Sequence, residues 1–521
     1  MGASAARGAA PRAGAGSPAP LLAAVEARGR RRGEAPFHVP GHARGRAAQL
    51  LPAGGPAVLG GAMEYDTTEL RGLGCLGEAV GPVAEAEARA AAAFGSDRSW
   101  FLVNGSSAGV HAAVLATCAP GDSLVLARNA HRSALAALVL SGARPEWVAP
   151  EMDAGLGVAH GVTADAVAGA LQSAEDAGRR VGAVLVVSPT YFGTCSDIAA
   201  LARVCRLRGV PLIVDEAHGS HLALLRRVGG GLAPPLGGFP AGALAGGADL
   251  VVQSTHKTLP ALTQSAMLHQ RGANVDPQRV SLALQMLQSS SPSYILMASL
   301  DAARAAVEDL AGGGERGAEL RELLKRVALL RRALGALPGV RILGAGSPGV
   351  RSADPLRVTV VTLGLGVSGF AAAEELESRF GVVPELATPS CVVLAVSLGT
   401  CPADLDRAAA AFEHLARSAA AGATATDTVS GDWAQTPALE MAMAPREAYF
   451  APAENVPLAR AAGRVGAELV CPYPPGIPLV VPGSRVTAEA LAALQSVKAL
   501  GGTVTGASDP ELRVLRVLRR P

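Results

Sequence analysis

The sequence predicts an α/β protein: a mostly parallel central sheet covered by helices on both faces, followed by smaller α+β domains toward the C-terminus. Three observations predict it. Five short apolar runs stand between residues 100 and 254. Ala-rich stretches with helical patterning alternate with them, the arrangement that parallel sheets require. After residue 301 the pattern changes to long helical periodicity followed by strand-like runs.

In chain order, residues 1–20 are Ala, Gly, Pro and Arg-rich, carry no acidic residue, and read as a disordered extension. A major domain is placed at 21–310. Its strands are WFLV (100–103), SLVLA (123–127), AVLVVSP (183–189), VPLIVDE (210–216) and ADLVVQS (248–254), with helices such as AGVHAAVLATC and DIAALARVCRLRG between them. Residues 229–247 form a Gly/Pro-rich loop. Residues 301–335 are helical. The runs VRILGAG and LRVTVVTLGLG and the helix FAAAEELESRFG then make a small α+β domain over 311–415. A polar linker at 416–436 leads to a C-terminal domain at 437–521 containing PYPPGIPLVVPG (472–483).

Composition narrows the function. A chain of 521 residues with 49% hydrophobic residues has material for two or three domains. A net charge of +2 calls for no nucleic-acid or membrane partner. No apolar run reaches bilayer length, and no secretory h-region is present. The seven cysteines are scattered, odd in number and free of CxxC spacing. They predict neither a disulfide framework nor a zinc site, no metal at all, and a reducing compartment: cytoplasm, or alternatively the plastid stroma.

Arginine has replaced lysine almost everywhere, leaving Lys257, Lys325 and Lys498. Lysine forms imines with carbonyls and arginine does not. Lys325 and Lys498 lie in amphipathic helical patterns and read as solvated. Lys257 follows a sheet strand in ADLVVQSTHKTLPALTQ, flanked by Ser254, Thr255 and His256, a setting that suits a Schiff-base lysine with a cofactor phosphate close by. Two further elements point the same way. In FLVNGSSAGVHAAVLA a strand turns into a helix through Asn104 to Gly109, a phosphate cradle with Ser106 and Ser107 hydroxyls as added donors. In VPLIVDEAHGSH, Asp215 ends an apolar strand, where a carboxylate can pair with a pyridinium nitrogen. His218 can reach the same pocket, and His221 reads as structural.

With these motifs in hand the chain resembles the Orn/Lys/Arg decarboxylase family of fold-type-I, aspartate-aminotransferase-like enzymes, in a short form similar to biosynthetic arginine decarboxylases. The resemblance rests on FHVPGHARG (37–45), YDTTELRGLG (65–74), FLVNGSSAG (101–109), RNAHRS (128–133), SPTYFG (188–193), DEAHGSH (215–221), QSTHKTLPALTQ (253–264), LQSSSPSYILMASLDAAR (287–304), PREAYFA (445–451) and PYPPGIP (472–478). It implies pyridoxal 5′-phosphate as cofactor, with Lys257 as its Schiff-base lysine and Asp215 on the pyridine nitrogen, His218 beside it. It also implies His131 stacked on the ring, phosphate contacts from Ser106, Ser107 and Ser254, and His256 in its usual place before the lysine. It implies further a homodimer or higher homo-oligomer with SSSPSY (289–294) near the subunit boundary. The chain departs from the family pattern at Ala43, Gly74, Cys75, Gly77 and Val110, and its 229–247 loop is longer than usual.

The implied reaction is decarboxylation of a small-molecule basic amino acid. L-arginine to agmatine and CO2, in polyamine biosynthesis, is the first choice; lysine or ornithine is the alternative. A distal guanidinium or ammonium needs a carboxylate partner, for which Glu385 in VVPELATPS is the candidate. An aminotransferase or lyase on the same fold, or a catalytically silent paralogue, are further alternatives.

Overall fold

A computed structural model describes residues 16–31, 33–78, 80–228, 239–420, 437–473 and 476–520. A seven-stranded sheet forms its centre: β1 (Arg98–Leu102), β2 (Ser123–Ala127), β3 (Arg144–Val148), β4 (Val181–Val187), β5 (Leu212–Asp215), β6 (Leu250–Gln253) and β7 (Ala266–Gln270). Their spatial order is β1-β7-β6-β5-β4-β2-β3. The pairs from β6 through β3 are parallel, while β7 runs antiparallel to both β6 and β1. Two reversals restore direction, so β1 points the same way as β6. The carboxyl ends of β1, β6, β5, β4 and β2 therefore lie on one edge.

Alternate residues of each strand feed two cores, which is why the runs read as continuously apolar. Leu124, Leu126, Leu185, Ile213 and Val252 pack with the helices α1 (Gly105–Thr117), α2 (Arg132–Ser141) and α3 (Pro277–Leu287). Val125, Val184, Val186, Val214 and Val251 face the other way. They share a cluster with Leu201, Leu300, Leu324 and, beyond them, Val358, Val360 and Phe412. That cluster is continuous into a second, antiparallel sheet ordered β8-β9-β11-β10, built from β8 (Arg341–Leu343), β9 (Arg357–Val361), β10 (Leu386–Ala387) and β11 (Cys391–Ala395). Residues 453–457 and 514–518, with 471–473 and 503–505, pair into two small sheets around a third core of Leu458, Val470, Leu494 and Leu515.

Several elements differ from the sequence expectation. β3 and β7 go unread because RPEWV carries a proline and charges tolerable only at a sheet edge. AMLHQ, for its part, ends in polar residues that are buried in bonds: His269 Nε2 meets Gln253 Oε1 at 3.1 Å and its Nδ1 meets Ser99 Oγ at 2.7 Å. The helical stretch 301–335 is two helices, Tyr294–Ala311 and Glu315–Gly335, parted at Gly312 to Gly314. Of the extension at 1–20, residues 16–20 are described and are held in place. Ala19 is buried, and the Pro18 carbonyl accepts from Arg304 Nη2 at 2.6 Å. At the expected linker 416–436, the helix Pro402–Ala420 runs on through Ala416, which is buried; residues 421–436 lie outside the described residues, as do 229–238 of the long loop. No helix among the described residues is long and apolar enough to cross a membrane.

Candidate active site

Loops leave the carboxyl edge of the sheet after each of its six parallel-running strands, and the candidate residues other than Glu385 sit at the strand ends and loops of that edge. Parallel register sets Asp215 level with Val252 on β6 and with Val187 on β4, so the turns after these strands open side by side. After β6, Ser254 precedes the single turn Thr255–Thr258 that carries Lys257. After β1, Gly105 adopts φ +74° to swing the chain into α1, and a Cβ there would meet nothing closer than the Gln264 carbonyl at 4.0 Å. The two turns touch: Ser254 Oγ donates to Ser106 Oγ at 2.7 Å. Ser107 lies beside Ser106 in the same first turn of α1, half-buried.

At the centre is a three-member chain. Lys257 is solvent-exposed as a residue, yet its Nζ lies 3.1 Å from Nε2 of the buried His218. On the far side, Arg357 Nη2 from β9 donates to His218 Nδ1 at 2.9 Å. Burial holds the Lys257 ammonium below its usual range, against the pull of Asp215 and Glu385 and with the help of Arg357. Burial also holds His218 well below the usual imidazole value, with the charges of Lys257 and Arg357 acting the same way.

Asp215 is buried, and burial raises its carboxyl above the ordinary range although the Ala217 N–H, at 3.1 Å, and Lys257 both favour the charged form. Such a carboxylate lacks a sufficient cation, and a protonated ring nitrogen would supply it. His131 caps α2, its Nδ1 accepting from the Ser133 N–H at 3.3 Å. Burial, with Lys257, Arg132 and His111, pushes it down to about 4. It is therefore a neutral ring at ordinary pH. His256 does not join this group: its Nδ1 bonds the Ser265 carbonyl at 2.8 Å. His221 pairs with Asp354 at 2.9 Å, both buried. Glu385, exposed, stands just before β10, and its charge is felt at Lys257 and at Tyr191.

The donor set matches a phosphorylated aldehyde on a pyridine ring. Hydroxyls and a helix start could hold a phosphate, an amine could meet an aldehyde, and a carboxylate could pair with a ring nitrogen. Thr255 Oγ1 beside it is buried without a partner.

Sequence reasoning assigned no role to several residues found here. Tyr191 was visible only as part of SPTYFG; its ring lies 4.8 Å from His218 and 6.0 Å from Lys257 Nζ. The hydroxyls of Tyr473 and Tyr191 are hydrogen-bonded to each other, bringing the C-terminal segment to the site. Arg128 anchors that segment through the carbonyls of Pro437 at 2.5 Å and Pro478 at 3.1 Å. Arg357 lies in the second sheet, with nothing in LRVTVV to mark it.

Comparison with known proteins follows the same lines. The family described as Orn/Lys/Arg decarboxylase, major domain, matches residues 19–343, and its C-terminal domain matches residues 429–505. Arginine decarboxylases of Halalkalibacterium halodurans and Bacillus subtilis are each 34% identical, covering 93% of this chain and 94% of each relative. The crystal structure of a lysine decarboxylase from Francisella novicida superposes with a TM-score of 0.80 at 20% identity, covering 96% of this chain and 81% of that one.

Proposed function

The chain belongs to the Orn/Lys/Arg decarboxylase family, and from that premise we propose that it converts L-arginine to agmatine and CO2 with pyridoxal 5′-phosphate held at Lys257. The observation that carries the reading is the Lys257 amine set against His218 at the carboxyl edge of the sheet, with buried Asp215 alongside. Arginine is preferred because the 34% identical relatives bear that name over nearly their full length.

In this reading Ser106, Ser107, Ser254 and the start of α1 would hold the phosphate, Asp215 would keep the ring nitrogen protonated, and neutral His131 would cover the ring face. The bound cofactor supplies a sink for the electron pair left when the carboxylate departs. Tyr191, packed on His218 and bonded to Tyr473, walls the site from the C-terminal side and limits water access. Glu385 pairs with the distal guanidinium. Lys257, released from the cofactor when substrate binds and protonated by the substrate's amine, would deliver that proton to the substrate α-carbon, with His218 Nε2 at 3.1 Å orienting its Nζ. The aminotransferase alternative needs an arginine for the α-carboxylate; the nearby Arg357 is bonded through Nη2 to His218 and keeps Nη1 without a partner.

One chain leaves apolar side chains uncovered, Phe37 at 98%, Leu50 at 80% and Met286 at 73% exposure, which supports a homodimer. The unpaired cysteines fit the cytoplasm or, equally, the plastid stroma.

The test is a product assay with purified protein, pyridoxal phosphate and L-arginine, L-lysine or L-ornithine offered separately. Agmatine and CO2 as dominant products, absent in Lys257→Ala, are expected. Cadaverine or putrescine would replace the substrate. Keto-acid without CO2 would favour the aminotransferase, and no product from any of the three would favour the silent paralogue.

A further inference from the structure

We propose that Arg357 fixes the tautomer of His218, and that the fixed tautomer holds Lys257 as a free amine ready to attack an aldehyde carbon. The inference rests on Lys257 being the cofactor lysine. A guanidinium has donors and no acceptor. With Arg357 Nη2 at 2.9 Å, His218 Nδ1 must present its lone pair. A neutral imidazole so oriented carries its hydrogen on Nε2. That N–H meets Lys257 Nζ at 3.1 Å, so the lysine nitrogen has to be the acceptor, which an ammonium cannot be. The opposite tautomer would set two N–H groups against each other at Arg357. An imidazolium would do the same and add a third positive charge between two cations.

Arg357 is well held for this role. It is buried on β9, and its stem lies so close to Gly193 that a Cβ there would stand 2.5 Å from Arg357 Cβ. Asp354, itself bonded to His221, supplies a buried counter-charge nearby. Asp215 from β5, Glu385 before β10 and Arg357 from β9 act on Lys257. Lys257, Arg357, His131 and His221 act on His218. Of the two groups bonded to the ring, Lys257 can be donor or acceptor according to its protonation, whereas Arg357 can only donate and so imposes the direction. It is a positioning residue, acting on the cofactor through another side chain.

In the step this prepares, the Nζ lone pair adds to the aldehyde carbon, a C–N bond forms, and the aldehyde oxygen leaves as water once the amine protons have moved to it. A protonated lysine has no lone pair and cannot begin.

The experiment follows attachment rather than turnover. Full-length protein freed of cofactor is mixed with pyridoxal phosphate, and the absorbance change is timed from pH 6 to 9 for wild type, Arg357→Lys and Arg357→Met. Arg357→Met is expected to attach roughly ten-fold more slowly at pH 7 and to move the pH midpoint of the rate up by about one unit. Arg357→Lys keeps a cationic donor and should recover most of the rate. Arg357→Met behaving as wild type in both rate and midpoint overturns the inference alone. No attachment at Lys257 even in wild type, read by borohydride reduction and peptide mass spectrometry, overturns the cofactor assignment with it. Should Arg357→Met fail to fold, ¹⁵N-histidine spectra of the unsubstituted cofactor-free chain, with His218→Gln to assign the signal, decide instead. Hydrogen on Nε2 of His218 supports the inference, and hydrogen on Nδ1 overturns it.

Discussion

Gly109→Ala probes how closely the phosphate end of the site depends on packing beneath it. A Cβ at Gly109 would stand 2.7 Å from Leu102 Cδ1 and 2.8 Å from Val252 Cγ1. Ordinary carbon contacts are about 3.5–4.0 Å, so the overlap is close to 1 Å. Neither neighbour can retreat, since Leu102 and Val252 are both fully buried in the sheet core. The helix α1 must lift instead. Overpacking of this kind costs about 1–3 kcal/mol, offset by up to about 1 kcal/mol of helix propensity gained over glycine. A lift of that size also stretches the 2.7 Å Ser254–Ser106 bond past hydrogen-bond range and moves the helix start away from the phosphate. Losing one such charged contact is worth about 1.5–3 kcal/mol, or roughly 10–100-fold in affinity. Urea unfolding and fluorescence titration with pyridoxal phosphate would read the two effects. Gly169→Ala is the control, because that helical glycine has open space around it and should gain about 0.5–1 kcal/mol. If the two substitutions behave alike, with cofactor affinity unchanged at Gly109, the packing argument fails.

Three other outcomes are expected. Glu385→Gln should lower kcat/KM for arginine by roughly 10–100-fold, the worth of a charged hydrogen bond, while cofactor attachment at Lys257 stays as in wild type; equal loss of both would remove Glu385 from substrate binding. Arg128→Ala leaves the buried carbonyl of Pro478 and the half-buried one of Pro437 without this donor and should cost about 1–3 kcal/mol. Limited proteolysis should then release the C-terminal segment sooner, and an unchanged digestion pattern would contradict the clamp. Glu216 is buried, its carboxyl pushed up to about 7 by burial against bonds from Gln253 and Ala243. The native state therefore holds a proton there that the unfolded chain releases between about pH 4.5 and 7, so this group's contribution to stability falls as pH rises through that window. Glu216→Gln lacks that loss. Relative to wild type it should gain up to about 3 kcal/mol between pH 4.5 and 8 in denaturant unfolding, and a flat difference would refute the assignment.

Much of the fold was legible because the decisive patterns are local. Continuous apolar runs followed by helical stretches fix a parallel sheet, and Asp215 and Lys257 stand immediately after two such runs. What escaped is what strand pairing decides. β7 sits between β6 and β1 with His269 and Gln270 buried, a pattern that becomes apolar in effect only once Gln253 and Ser99 meet the imidazole. Arg357 and Tyr473 escaped for the same reason. Arg357 is 139 residues from His218, so no spacing or periodicity links them. Tyr473 meets Tyr191 across 282 positions of sequence, on a segment that Arg128 helps to dock.

The most direct measurement uses the scarcity of lysine in this chain. Borohydride reduction of the protein with pyridoxal phosphate, followed by digestion and mass spectrometry, reports which of Lys257, Lys325 and Lys498 carries the added mass. Lys325, exposed, pairs with Glu322 at 3.9 Å, and Lys498 is bonded to Glu511 at 2.7 Å, so each amine faces a surface carboxylate. The account predicts modification of Lys257 alone, at one per chain. Equal labelling of all three, or an unmodified Lys257, would contradict it.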